Sequence, residues 1–284
     1  MVVKPRVSPR LFCIPALNAP VVAVIRRGPS AWFNLGVWNV DRLGYESGGW
    51  IKASLYPQRC DLSPDGRWFC YFTLKTSAKW QAGSTYVAIS RLPWLTALAA
   101  WGTCGTWTRG VHFVKDTSVW QVSEPDEGTI APCRGKVGIA VTAPATFAVE
   151  RRRGWTESVG SPQRDRDDIW DIRRAGELKM EKVRPRSNTA MRLRVSGSFA
   201  AFRSGPPGGS KDVCYEIVED GKITPLEYVQ WADWHVDGRL LVATVDGKLQ
   251  IRDYSGSVAS IQFETDLGLL TPNPSAPPDE AHRW

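Results

Sequence analysis

The sequence predicts an all-β protein, and three observations support that prediction. Short runs of apolar and β-branched residues recur along the 284 residues, and the run at 21–25 is typical of a buried strand. These runs alternate with turn-forming residues, above all 25 Gly and 20 Pro. The chain also contains 14 Trp, which indicates large aromatic side chains packed between sheets, because an indole ring buries a large area.

One strand–turn–strand pattern occurs twice, at 60–72 and again at 232–243. In the first copy a Pro presets the φ angle of the first turn position. Asp65 can then accept hydrogen bonds from the nearby backbone, and Gly66 tolerates a positive φ. The second copy repeats the Asp-Gly-Arg sequence of this turn. Both stretches therefore predict β-hairpins with a tight turn.

The cysteines form no C-x-x-C pair and show no zinc-ligand spacing. If Asp65 lies at the centre of its hairpin, Cys60 and Cys70 face each other across the two strands. A cross-strand disulfide and two reduced, packed thiols both fit that geometry, and we expect the reduced thiols.

Landmarks from the first half of the chain recur in the second half, in the same order and at an offset of about 130 residues. The paired landmarks are residues 23–28 with 148–155, residues 62–72 with 193–202, Trp101 with Trp231, and residues 106–107 with 233–234. The offset predicts two degenerate copies of one unit. A propeller blade of four strands takes roughly 40–45 residues, so two copies predict a β-propeller of about six blades. Five blades follow instead if the N-terminal arm and the insertions use up residues.

The predicted domain organisation is simple. Residues 1–20 form an extended N-terminal arm. Residues 21–270 form a single β-propeller domain, with copy one at about 21–147 and copy two at about 148–270. Residues 271–284 form a flexible, Pro-rich tail, and residues 93–101 form the one helical segment.

The two hairpins resemble the repeat of TolB-like and YncE-like β-propellers, and more loosely that of the WD40 class. The resemblance lies in residues 63–68 and 233–240, which follow the turn between the inner strands of a blade in that family. Residues 193–202 depart from it, since they have lost the Asp-Gly pair. The resemblance implies a propeller that acts chiefly as a binding scaffold, and it implies no particular ligand.

The formal net charge is +7, and it resides in the first half of the chain, because the charges of residues 151–284 cancel. This balance suits an acidic protein partner or nucleic acid, and it suits plain solubility equally well. The sequence shows no secretory signal and no apolar run near the roughly 20 residues of a membrane helix. We therefore expect a soluble, cytoplasmic, bacterial protein that does not associate with membranes.

Motifs of known catalytic chemistry are not apparent. The sequence has no nucleophile elbow, P-loop or dinucleotide fingerprint. Asp233, His235 and Asp237 begin like a calcium loop, but Thr244 stands where that loop needs Glu. His112 could join His235 as an acid–base or metal pair, although no third ligand is evident. We predict no catalytic residue, no metal and no cofactor.

Four carboxylates could converge on a central channel, as in five-bladed glycosidases, but nothing in the sequence selects a pair among them. They are Asp41, Asp61, Glu150 and Asp233.

Basic residues stand beside aromatic ones in two loops, a combination suited to phosphate or acidic protein. The predicted partner-binding residues are Arg26, Arg27, Trp32, Arg151, Arg152, Arg153 and Trp155. The alternative is that these arginines are solvated turn residues whose stems cover Trp rings.

The function predicted from the sequence is that of a non-catalytic interaction module, a scaffold or adaptor for another protein in a larger assembly, and not an enzyme. Two alternatives remain open. One is a nucleic-acid-associated subunit that uses the basic N-terminal half, and the other is a carbohydrate-active propeller enzyme. The sequence does not specify a small-molecule ligand.

Overall fold

A computed structural model describes ten stretches of the chain: residues 8–28, 31–75, 83–103, 111–113, 127–129, 139–141, 148–158, 178–195, 213–255 and 258–284. Antiparallel strands dominate them, which confirms the all-β class.

The strands of the first half are β1 (Arg10–Pro15), β2 (Val21–Arg27), β3 (Trp32–Asn39), β4 (Gly44–Lys52), β5 (Ser54–Leu55), β6 (Asp61–Leu62), β7 (Trp68–Leu74), β8 (Thr85–Arg91), β9 (Ala99–Gly102), β10 (Val111–Phe113), β11 (Glu127–Thr129) and β12 (Ile139–Val141). After helix α1 (Ala148–Arg152) come β13 (Thr156–Glu157), β14 (Leu178–Val183), β15 (Ala190–Val195), β16 (Val213–Glu219), β17 (Lys222–Pro225), β18 (Val229–Trp234), β19 (Leu240–Thr244), β20 (Lys248–Ser255) and β21 (Val258–Asp266). Short 3-10 turns occupy Pro57–Arg59, Leu267–Leu269 and Asp279–His282.

These strands form five sheets within the described residues. Sheet 1 has the order β1-β2-β3-β4, and sheet 2 the order β11-β9-β8-β7-β5, with β6 also paired to β7. Sheet 3 is the pair β10-β12, sheet 4 has the order β13-β14-β15-β16-β17, and sheet 5 the order β18-β19-β20-β21. Most neighbours are consecutive in the chain, as in a meander, and the architecture is compatible with a propeller-like fold.

The first and last sheets contact each other. Gln230 on β18 accepts a hydrogen bond from the Leu11 amide of β1 through Oε1, at 2.9 Å. Arg26 is buried, and it donates to the carbonyl oxygens of Leu267, at 2.7 Å, and Leu270, at 2.8 Å. These hydrogen bonds join the segment that follows β21 to sheet 1.

The buried apolar side chains lie mostly between neighbouring sheets. Trp38 of sheet 1 packs in one cluster with Trp231 of sheet 5. Trp155 and Trp234 share a cluster that joins sheets 4 and 5. The indole rings therefore fill the spaces between sheets, where a large planar side chain removes the most surface from water.

The two predicted hairpin turns are confirmed. Gly66 and Gly238 have φ angles of +75° and +91°, in the left-handed region that glycine tolerates best. Asp65 accepts a hydrogen bond from the Arg67 amide at 3.1 Å, and Asp237 accepts the equivalent bond from Arg239 at 2.9 Å.

The prediction that Cys60 and Cys70 lie opposite each other is wrong by one residue. Cys70 pairs with Asp61, not with Cys60. Both thiols are free and buried, as we expected, and burial raises the pKa of each.

The predicted helix at 93–101 is also wrong. Its last residues belong to β9, which pairs with β8. Ala99, Ala100 and Trp101 are fully or almost fully buried there. Alanine favours helices more than any other residue, but packing against the neighbouring strand outweighs this preference, because helix propensity contributes little free energy per residue.

Two of the four repeat landmarks occupy different structures in the two halves. Residues 148–152 form a helix, whereas residues 23–27 belong to strand β2. Trp101 lies on β9, the fourth strand of the series β6-β7-β8-β9, and Trp231 lies on the first strand of sheet 5. Residues 106–107 and 196–202, which carry the remaining landmarks, lie outside the described residues.

Described segments near both ends of the chain take part in the fold. Strand β1 begins at Arg10, within the predicted arm. In the predicted flexible tail, Ala281 is buried and the Trp284 ring lies 5.4 Å from that of Trp68, centroid to centroid. No helix in the described part of the chain has the length and apolar character needed to cross a membrane.

The turn of sheet 2 offers a test of how tightly it packs on sheet 1. A Cβ atom added at Gly66 would overlap Val21 Cγ2, whereas one added at Gly221, with the similar φ of +78°, would meet no atom within 4 Å. We predict that Gly221→Ala lowers the free energy of unfolding by about 1 kcal/mol through backbone strain. Gly66→Ala should lower it by about 3 kcal/mol, because overpacking adds to that strain. Urea unfolding curves measure both, and equal losses would contradict the packing.

Candidate functional site

Equivalent turns bring four side chains to the same register position near one end of strands β1, β6, β14 and β18. Each turn closes with a backbone hydrogen bond donated by residue 16, 63, 184 or 235. The residue two positions earlier in each strand is Ile14, Asp61, Lys182 or Asp233, respectively. The turns also contact one another, since the Asn18 amide donates to the Pro64 carbonyl at 2.8 Å. The sequence thus places two acids and one base around a common centre.

Asp61 is fully buried and receives several hydrogen bonds. Arg153 donates to its Oδ1 at 2.8 Å, and the Phe113 amide donates to its Oδ2 at 3.0 Å. Arg152 ion-pairs with the same Oδ2, and the Leu62 amide donates to Oδ1 at 2.9 Å. A buried carboxylate is tolerated when its lone pairs are filled in this way.

Asp233 repeats this arrangement with a different base. Lys182 Nζ lies 2.6 Å from Asp233 Oδ1 and donates a second hydrogen bond to the Trp234 carbonyl at 3.3 Å. The Trp234 amide donates to the same carboxylate at 2.7 Å. An ammonium group has three protons, so these two bonds leave one proton of Lys182 for a ligand.

Glu150 projects from α1 and is buried. Burial raises its pKa to about 7 from the usual 4.5, and the nearby charge of Asp233 adds to the rise, while Arg153 opposes it. The ionic state of this carboxyl therefore changes near neutral pH.

A cavity of about 410 Å³ opens at the turn ends of β1, β14 and β18. Residues 15–22 line one side of it and residues 234–236 line another. Arg153, Lys182 and His235 supply its basic lining groups. The cavity thus combines an apolar wall with a few convergent polar groups, as small-molecule sites do.

His235 is held by its neighbours at the cavity wall. Its Nδ1 lies 2.9 Å from Asp237 Oδ1. Burial acts to raise the pKa of Asp237, but hydrogen bonds from Arg239 and His235 outweigh it and hold that pKa well below its usual range. The His235 ring therefore has a carboxylate beside Nδ1 and lines the cavity.

Two of the three calcium-loop residues, His235 and Asp237, lie near Asp41, but these three side chains do not form a good cation site, and the third loop residue, Asp233, is paired with Lys182 instead. Asp41, His235 and Asp237 place their potential ligand atoms within 4.8 Å of one another. Arg239, however, lies 3.1 Å from Asp41 and 2.6 Å from Asp237, so its guanidinium already neutralises both carboxylates. We assign no metal to this cluster.

The structure separates the seven predicted partner-binding residues. Arg26 holds the C-terminal segment, and Trp155 is buried against Tyr215. Arg152 and Arg153 point into the centre toward Asp61. These four side chains therefore form no exposed binding surface.

The other three lie nearer to solvent. Arg151 is exposed and pairs with Glu157 at 2.7 Å. Arg27 is half-buried with its guanidinium over the Phe33 ring, and Trp32 is half-buried on β3.

Sequence reasoning named three carboxylates of the centre, Asp61, Glu150 and Asp233, but it missed Lys182. No sequence motif marks Lys182, and only the structure shows its position. Its turn, at 184–189, lacks the Asp-Gly pair that marks the other two hairpins. His112, the predicted partner of His235, lies near Arg152 and Asp61, and burial and the Arg152 charge lower its pKa.

Comparisons with known proteins give a distant structural likeness. No family model matches the chain, and no curated protein matches it. A solved structure of a candidate 6-phosphogluconolactonase from Bacteroides fragilis is similar at 11% identity and a TM-score of 0.36, over 93% of this chain and 97% of that one.

The prediction of a non-catalytic scaffold, and of a protein that is not an enzyme, is contradicted by this comparison, because the similar structure is that of a candidate enzyme. The TM-score is too low to carry any activity over to this chain. The closer resemblance to TolB-like and YncE-like propellers stays a prediction.

Glu150 gives the site a pH dependence that can be measured. A pKa raised in the folded state stabilises the fold fully below the unfolded value and loses that stabilisation as pH rises through the folded value. With a pKa of about 7 against 4.5, the loss spans about pH 4.5 to 7 and amounts to about 3 kcal/mol. We predict that Glu150→Gln removes this part of the pH profile.

The test compares urea unfolding of the wild type and Glu150→Gln at pH 5 and pH 7.5. The wild type should lose stability relative to the variant at the higher pH. A difference between the two proteins that stays the same at both pH values would show that Glu150 ionises normally.

Proposed function

We propose that this protein is a carbohydrate-active enzyme that hydrolyses an ester or lactone bond of a sugar derivative in the central cavity. We also propose that the five sheets correspond to five blades of a propeller. One observation carries the functional proposal: His235, with Asp237 at its Nδ1, and Lys182, with one uncommitted proton, line the same cavity.

The carboxylates favour this reaction over glycoside cleavage. Glycosidases generally need two carboxyl groups on either side of the scissile bond. Among the described residues that line the cavity, Asp41 is the sole carboxylate. Asp61 and Asp233 are buried and already bonded to Arg153 and Lys182. A histidine base and a cationic donor that line one cavity suit acyl transfer to water instead.

The proposed reaction uses these groups in sequence. His235 takes a proton from water through Nε2, and the water oxygen forms a bond to the acyl carbon. Lys182 donates its remaining proton as a hydrogen bond to the acyl oxygen, which gains negative charge. The bond from the acyl carbon to the sugar oxygen then breaks, and His235 returns the proton to that oxygen. The products are a carboxylic acid and an alcohol.

The nucleic-acid alternative is supported by none of the described contacts of Arg26, Arg152 and Arg153. All three guanidinium groups bond to protein oxygens inside the fold. A solvent-exposed row of cations is what phosphate binding requires.

The decisive experiment measures hydrolysis of glucono-δ-lactone and of acetylated glucose by titration of the released acid. We predict that wild-type protein accelerates at least one of them. His235→Asn should lower kcat/KM by about 10²–10⁴-fold, because the general base is lost. Lys182→Met should lower it by about 10²–10³-fold, because the developing oxyanion loses a donor.

Two variants serve as controls. His282→Asn and Lys248→Met change an exposed histidine and a half-buried, ion-paired lysine away from the cavity lining. Both should keep wild-type rates. Circular dichroism and melting temperature establish that each variant is folded, and Lys182→Arg retains a cation if Lys182→Met is unstable. Wild-type rates no higher than those in buffer, or full activity of His235→Asn, would refute the proposal.

A further inference from the structure

The mouth of the cavity carries apolar side chains that face solvent. Val236 is 70% exposed and Leu17 is 38% exposed. Both residues line the cavity, together with Pro185 and Trp234. Leu17 belongs to the turn between β1 and β2, and Val236 to the turn between β18 and β19. Two separate sheets therefore place an apolar residue at the tip of a turn over the same opening.

Packing within the fold does not explain these two side chains. Turn tips usually carry polar or small residues, because they face water. Both turns already have their closing hydrogen bonds, from Ala16 to Val21 and from His235 to Arg239. An exposed apolar pair at a cavity rim is typical of a ligand site.

The floor and the rim of the cavity favour different chemical groups. Lys182 at the floor is cationic and would hold an acyl oxygen or a carboxylate. Leu17 and Val236 at the rim would cover methylene groups. A ligand that satisfies both regions carries an oxygen-rich acyl group joined to a hydrocarbon chain.

From this division we infer that the substrate is a sugar ester of a medium-length alkyl carboxylic acid. The acyl oxygen lies at Lys182, and the alkyl chain lies against Leu17 and Val236. This inference rests on the proposed ester hydrolysis, and it names the acyl part of the substrate. The carboxylate released by the reaction keeps both contacts, so it serves as a probe of the site without turnover.

The test measures binding of sodium acetate, butyrate and hexanoate by isothermal titration calorimetry. Each added methylene should lower Kd about two- to fourfold, because each one leaves water for the apolar rim. In the double variant Leu17→Ser, Val236→Ser, the dependence on chain length should largely disappear. Ile261→Ser should keep it, since Ile261 is 53% exposed on β21, outside the cavity lining.

The possible outcomes separate this inference from the proposed function. Equal affinity for all three acids, or a double variant that still prefers hexanoate, overturns the inference even if the protein hydrolyses sugar esters. A steep chain-length dependence that the double variant abolishes supports it. That result together with no hydrolysis of any ester would refute the catalytic proposal alone.

Discussion

The centre of the fold depends on the contacts of one buried carboxylate, that of Asp61. It belongs to sheet 2, and it accepts hydrogen bonds from the Phe113 amide of sheet 3 and from Arg153 at the end of α1. Arg153 in turn donates to the Pro15 carbonyl of sheet 1 at 2.6 Å. One charged group thus joins three sheets and the segment that leads into sheet 4. Such a pair contributes uniqueness of arrangement rather than much net stability, because desolvation offsets most of the attraction.

A second buried aspartate that is paired with a basic residue, Asp233 with Lys182, forms part of the candidate site. Asp233 occupies the register position of Asp61, but its partner is Lys182, which comes from the neighbouring sheet 4. A lysine can keep a free proton where a fully bonded arginine cannot. The two ion pairs therefore differ mainly in the basic residue: Asp61 is paired with Arg153, which has a structural role, and Asp233 is paired with Lys182, the candidate catalytic residue.

The sequence was sufficient for the local features and insufficient for the distant ones. The turn at Asp65-Gly66 could be predicted because its chemistry is contained in a few adjacent residues. The strand at Ala99–Gly102 could not, since burial against β8 decides its conformation. Lys182 was missed for a similar reason. Its candidate role depends on its lying at the same register position as Asp61 and Asp233 on separate sheets, and the sequence near Lys182 does not show this. The apparent duplication gave a wrong prediction at 148–152. These residues resemble those of strand β2 in sequence, but they form helix α1.

The most direct test of this account is a double-mutant cycle on Asp61 and Arg153, with Asp61→Asn, Arg153→Met and the double variant unfolded in urea. If the buried pair organises the centre, each single variant should lose several kcal/mol, because each removes a buried partner of the charge that remains. The double variant should then lose about 2–3 kcal/mol less than the sum of the two single losses. Losses that add within about 0.5 kcal/mol would show that the two groups act independently, and would contradict the account.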